Sequence, residues 1–105
     1  MFIIEYPLPS QAGVCTVNLP AANGPGNWTV LGVHVRDDSP LLIVSQREAQ
    51  PYRHDEREFL IVETGQEIHR DKVAQFPDYL GTFDSNGKTF HLFGNRTRPE
   101  GGKKW

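Results

Sequence analysis

The sequence predicts an all-β fold, a small antiparallel sandwich or partly open barrel of six or seven strands with at most one short helical turn. Three observations point there. Short β-prone runs recur along the chain, and each is closed by proline, glycine or aspartate-rich punctuation. Residues 14–19 alternate strictly, with Val14, Thr16 and Asn18 on one side and Cys15, Val17 and Leu19 on the other. Residues 79–93 read as a hairpin in which two aromatic runs flank Asp84-Ser85-Asn86-Gly87.

In chain order, Phe2-Ile3-Ile4-Glu5-Tyr6 is the first strand, ended by Pro7 and Pro9, because proline cannot donate to a ladder. The alternating segment is a half-buried second strand that stops at Pro20. Asn23-Gly24-Pro25-Gly26 is a loop. Residues 28–36 form the third strand, with Leu31, Val33 and Val35 on one face and Trp28, Val30, His34 and Arg36 on the other. Asp37-Asp38-Ser39-Pro40 turns the chain. Leu41-Leu42-Ile43-Val44-Ser45 and Phe59-Leu60-Ile61-Val62 are continuous apolar runs, and their β-branched content favours central strands. Between them, residues 46–58 read as one long polar loop. Thr64-Gly65 ends the fifth strand. Residues 71–76 predict one helical turn, with Asp71 as the N-cap and Pro77 disfavouring continuation.

In the closing hairpin, an aspartate that opens a type I turn and a glycine in the αL position predict a three-residue loop, Ser85-Asn86-Gly87. Asp84 then faces Lys88, Thr82 faces Phe90, Leu80 faces Leu92, and Leu80, Phe90 and Leu92 are buried together. The alternative is a two-residue type I′ loop at Asn86-Gly87, which places Phe83 opposite Phe90. Consecutive hairpins are expected for the third and fourth strands, the fourth and fifth, and the closing pair.

A chain of 105 residues is one domain with a single modest core. Hydrophobic residues at 37% and charged residues at 23% place it in neither the disordered nor the membrane class. No apolar run approaches the roughly 18 residues that span a bilayer, and residues 1–5 carry no signal-peptide pattern. A single cysteine, Cys15, excludes an internal disulfide and suits a reducing cytoplasm. Residues 1–95 hold 7 basic and 12 acidic side chains, for −5, while residues 96–105 carry +3. We therefore expect one β domain over residues 1–95 and a basic, flexible C-terminal tail over 96–105. The acidic body disfavours binding to a phosphate backbone.

Glu5-Tyr6-Pro7-Leu8-Pro9, Leu19-Pro20, Val30-Leu31-Gly32-Val33, Phe59, Thr64-Gly65 with Ile68, Tyr79-Leu80-Gly81-Thr82 and Phe90-His91-Leu92-Phe93 fall in a distinctive order. Together, over residues 3–93, they resemble a family of small uncharacterised proteins from bacteriophages and their bacterial hosts. The resemblance implies a compact, mostly β domain and a phage-type accessory role in the host cytoplasm. It implies no activity, cofactor or catalytic residue. The chain departs from that pattern in its long loops at 21–27 and 46–56 and in its basic tail.

No residue pattern predicts catalysis. His34, His54, His69 and His91 are too scattered for a metal-binding spacing, and His91 is expected to be a half-exposed structural histidine. His54 and Asp55 are adjacent in sequence, which does not make a catalytic pair. Cys15 alternates into an apolar face and reads as a small buried hydrophobe. Gly24-Pro25-Gly26 lacks the strand–turn–helix context of a phosphate-cradling loop. We expect no cofactor, no metal and no enzyme. The expected site is a surface. Arg47, Tyr52, Arg53, His54 and Arg57 lie on the polar stretch, and tyrosine and arginine are enriched at interface hot spots. Trp28 opens a strand directly after a Gly-Pro loop, and His69 and Arg70 precede Asp71 and Lys72 as a second charged site. These features predict a non-enzymatic protein that binds a host protein; the resemblance sharpens this to inhibition of a bacterial defence system. The alternative is a homo-oligomer that binds or sequesters a nucleotide with arginine and aromatic side chains. An enzyme ranks third.

Overall fold

The structure, a computed structural model, describes residues 1–20, 28–47 and 54–95. Its elements are β1 (Phe2–Pro7), β2 (Gly13–Pro20), β3 (Trp28–Arg36), β4 (Ser39–Gln46), β5 (His54–Glu63), α1 (Arg70–Gln75), β6 (Asp78–Ser85) and β7 (Lys88–Gly94). They form a three-stranded antiparallel sheet, β1-β4-β3, and a four-stranded antiparallel sheet, β2-β5-β7-β6. The fold is a small all-β sandwich with no closed barrel. No helix among the described residues is long and apolar enough to cross a membrane. The predicted basic tail, 96–105, lies outside the described residues.

Both long apolar runs are central strands, as their composition requires. β4 lies between β1 and β3, and β5 lies between β2 and β7. The expected hairpin between the fourth and fifth strands does not form, because the chain passes there from one sheet to the other. Leu42 and Val44 of β4 point into the sandwich, where they meet Val17 and Leu19, Phe59 and Ile61, Phe83, Phe90 and Leu92. The run Phe59-Leu60-Ile61-Val62 is continuous because both faces of β5 are covered. Phe59 and Ile61 face the sandwich, while Leu60 and Val62 pack under Phe76 and Ile68 of the α1 segment.

Three expectations about local structure are overturned, each for a physical reason. β5 begins at His54, not Phe59, so much of the predicted polar loop is strand. Those polar residues have weak β propensity but continue the ladder with β2, in which Val17 pairs with Arg57 and Asn18 with Glu56. In β3 the pairing shifts between Val30 and Gly32. The irregularity reverses the side-chain alternation, so Trp28, Val30, Val33 and Val35 all pack on the core while Leu31 is 56% exposed. The closing hairpin takes the alternative register. Asn86 and Gly87 have φ of 53° and 78°, Ser85 pairs with Lys88, and Phe83 pairs with Phe90. An Asn-Gly type I′ turn matches the right-handed twist of its strands, which decides the register. Thr82 is therefore exposed opposite His91, and Phe83 stacks on Phe90 at 5.3 Å between centroids. A second irregularity, between Tyr79 and Gly81, returns Leu80 to the core side, beside buried Phe90 and Leu92.

The turn ends of the two hairpins are tied together. Ser85 Oγ donates to the Asp38 carbonyl at 2.9 Å and lies 3.1 Å from Ser10 Oγ, whose hydroxyl it can accept, and the Asn86 N–H donates to Asp38 Oδ1. Asp38 belongs to a two-residue turn in which Asp37 and Asp38 both have positive φ. The longer connections, 21–27 and 48–53, start and finish at the opposite end of the sandwich.

Candidate interaction surface

At that opposite end, β1 begins, β2 ends, β3 begins, β4 ends and β5 begins. Phe2 and Trp28 both pair with Gln46, and Pro20 pairs with His54. The connections 21–27 and 48–53 leave from here. Two of the predicted site residues meet. The guanidinium of Arg57 lies over the Trp28 ring, 6.0 Å from its centroid. Planar guanidinium and indole faces attract through the ring quadrupole. Arg57 Nη2 also lies 3.8 Å from Asp55 Oδ2. The Arg57 side chain is 30% exposed and that of Asp55 is 48% exposed, so a half-desolvated cation and an aromatic ring share one surface.

The chain holds this pair from below. Trp28 packs on the core, and Arg57 shares its face of β5 with Phe59 and Ile61. Beside Trp28, Gln46 is fully buried and accepts a 2.7 Å hydrogen bond at Oε1 from the Tyr6 hydroxyl. Burial pushes the Tyr6 hydroxyl above its ordinary pKa, with the Gln46 contact opposing that shift, so Tyr6 remains a neutral donor. Tyr6, Gln46 and Asp55 were not legible as parts of a site. The available signal is Gln46 itself, a polar residue continuing the inward phase of an apolar strand.

The other predicted residues are placed as follows. Arg47 is exposed at the bend that follows β4, and His54 is exposed at the start of β5, so both belong to the same end. Tyr52 and Arg53 lie outside the described residues. His69 and Arg70 do not join them, since they begin the helical segment over the outer face of the four-stranded sheet. His69, not Asp71, is the N-cap, and its Nδ1 accepts the Asp71 N–H at 3.3 Å. An imidazole in that position performs the acceptor role predicted for the aspartate, two residues earlier.

A polar array on the outer face of the four-stranded sheet accounts for His91. Thr64 Oγ1 is 2.6 Å from His91 Nε2, Thr82 Oγ1 is 3.0 Å from His91 Nδ1, and the Tyr79 hydroxyl bonds Thr82 Oγ1. Tyr79 also packs against Phe93, at 5.5 Å between ring centroids. Both imidazole nitrogens are engaged by hydroxyls, which makes His91 a link between β7, β6 and the turn that follows β5. Cys15 is half-buried, and burial alone pushes its thiol above the ordinary value, the opposite of an activated nucleophile. Among the described residues no group of three histidine, cysteine, aspartate or glutamate side chains is arranged to hold a metal.

Comparison of the chain with family models, curated proteins and solved structures returned no match.

Proposed function

We propose that the chain is a non-enzymatic accessory protein of the phage type that engages a host protein in the host cytoplasm, using the end of the sandwich built around Trp28 and Arg57. The observation that carries this reading is the Arg57 guanidinium over the Trp28 ring, flanked by exposed Arg47 and His54. Tryptophan and arginine are the side chains that most often dominate binding energy when a partner completes their desolvation. Arg57 is already held by Asp55 and by the indole, so little side-chain entropy remains to be lost on binding. The more pointed version of this role is inhibition of a bacterial defence system.

The test is capture from a bacterial lysate, with co-purifying proteins and small molecules both identified, comparing the chain with Arg57→Ala. Loss of one anchor of this kind costs about 2 kcal/mol, roughly thirtyfold in affinity. The variant should keep its fold and lose its protein partner. Retention of the same partner at full strength by Arg57→Ala refutes this surface. Co-purification of a nucleotide in place of a protein would favour the homo-oligomeric, nucleotide-binding alternative, in which the arginine and the indole serve a base and its phosphates.

A further inference from the structure

Among the described residues β1 is an edge of the three-stranded sheet, and the side it turns away from β4 has a hydrogen-bonding pattern that fits a second copy of itself. The pattern follows from the register. β1 and β4 pair antiparallel, Phe2 with Gln46 through Pro7 with Leu41, and the Leu8 N–H continues that ladder by donating to the Pro40 carbonyl at 3.0 Å. In an antiparallel ladder the residues that exchange hydrogen bonds alternate. Leu8, Tyr6, Ile4 and Phe2 therefore turn their backbone groups towards β4. Ile3 and Glu5 turn theirs outward, together with the carbonyl of Pro7.

The edge is weakly guarded. It has no lysine, its pairing with β4 runs without a bulge, and its proline stands at the end of the strand. Its one charge is drawn aside. Arg36 grips the Glu5 carboxylate with two hydrogen bonds, of 2.6 and 2.7 Å, on the outer face of the sheet. Ile3 on the same face is 59% exposed and Phe2 is 47% exposed.

We propose that two copies of this chain pair antiparallel through β1, with Ile4 on the two-fold axis, to make one continuous six-stranded sheet. This register sets Ile3 opposite Glu5 of the second copy, twice, so that every outward N–H and carbonyl of those residues finds a partner. Shifting the axis to Glu5 would face two carboxylates against each other and set Ile3 against a proline that has no N–H to give. Shifting it to Ile3 would set Glu5 against Met1, beyond the end of the strand. The self-complementarity of the Ile4-centred register is the argument for a second copy over a foreign strand. Side chains agree with it, since Ile4 meets Ile4 on the inner side and Phe2 meets Tyr6. The interface uses the β1 edge and neither Trp28 nor Arg57.

Sedimentation over a range of concentrations tests it. The chain should pass from 11.9 kDa to twice that mass as concentration rises. Ile3→Pro removes an outward N–H and an exposed side chain but no hydrogen bond to β4, so it should keep the native circular dichroism spectrum and remain a monomer. A cysteine at the axis tests the register and does not depend on that variant folding. Facing residues of a non-hydrogen-bonded pair have Cβ atoms about 4.5–5.5 Å apart, close to disulfide reach. In a Cys15→Ala background, Ile4→Cys should form a covalent dimer under mild oxidation, at least tenfold faster than Phe2→Cys. A chain that stays monomeric at every concentration overturns the proposal. So does an Ile3→Pro variant that dimerises like the parent, or equal cross-linking of the two cysteine variants.

Discussion

Gly81→Ala is the sharpest probe of how the two sheets meet. β6 passes β3 at this residue, and a Cβ built on Gly81 would lie 2.9 Å from Val33 Cγ1. The neighbour cannot easily yield, because Val33 is β-branched, stiff at χ1 and packed on the core. Overpacking of this kind costs about 1–3 kcal/mol. Gly81 also has φ of 157°, at the margin of what an L side chain adopts, which adds about 1 kcal/mol of backbone strain. The sum, about 2–4 kcal/mol, is a large share of the roughly 5–15 kcal/mol that holds a domain folded. For a domain of this size it should lower the melting temperature by at least roughly 8 °C.

The assay is urea unfolding of four proteins, the parent, Gly81→Ala, Val33→Ala and the double variant. The midpoint of Gly81→Ala should fall while its slope stays unchanged. Val33→Ala removes the methyl group that the new Cβ meets, so the double variant should be more stable than the sum of the single effects predicts, by at least about 0.5 kcal/mol. Gly94→Ala is the comparison. Its Cβ would meet Leu80 Cδ1 at 2.8 Å, the far end of a half-buried leucine, and its loss should be less than half as large. A Gly81→Ala loss below about 1 kcal/mol, or a cycle with no coupling, would mean that β6 does not lie against β3 as described.

Other perturbations follow from the same geometry. Leu31→Ser should leave stability within about 0.5 kcal/mol, because this leucine faces solvent; a loss typical of a core leucine in chemical denaturation would put it on the wrong side of β3. Gly87→Ala meets open space but must adopt φ of 78°, so it should lose about 1–2 kcal/mol by conformation alone, measured by thermal melting. The hydrogen bond from Arg36 holds the Glu5 carboxyl below its ordinary value. Its contribution is therefore fully present above the unfolded pKa and is lost as pH falls through the folded one. Melting curves of the parent and Glu5→Gln, compared below about pH 5, should converge as Glu5 becomes protonated. The half-buried Cys15 thiol should react with a thiol-specific disulfide reagent at least tenfold more slowly in the native protein than in denaturant, and equal rates would contradict its packing against the core.

Most of the fold was legible because it depends on features that local sequence carries. Alternation placed Cys15, Val17 and Leu19 inward in β2, and the unbroken run 59–62 marked a strand covered on both faces. The site was less legible. Trp28 and Arg57 were both candidates, but 29 residues separate them in the chain, and only the packing of β3 over β5 puts one above the other. Asp55 and Gln46 were invisible as their supports, since a charged residue in a polar run and a glutamine at the end of a strand carry no sign of their neighbours. His91 shows the converse. Its structural role was expected, but the two hydroxyls that impose it come from Thr64, in the turn after β5, and Thr82, on β6.

One misreading and one success turn on the same device. Alternation was extended through Leu31 in β3, where it failed, while Leu80 was expected beside Phe90 and Leu92 and lies there; in both strands the chain inserts an irregularity next to a glycine, Gly32 or Gly81. Each irregularity shifts the side-chain phase by one residue. The first lets Trp28 and Val30 share the inner face with Val33 and Val35. The second lets Leu80 share it with Phe83, and it leaves Gly81 bare at the point where Val33 comes closest. The two strands that change phase are the ones that meet at this margin of the sandwich. Without the shift in β3, Trp28 would point away from the core, and Arg57 would have no ring to lie on. The glycine that spoiled the simple periodic pattern in β3 is thus what aims the indole at the arginine, and the paired glycine in β6 is what allows the two sheets to close beside it.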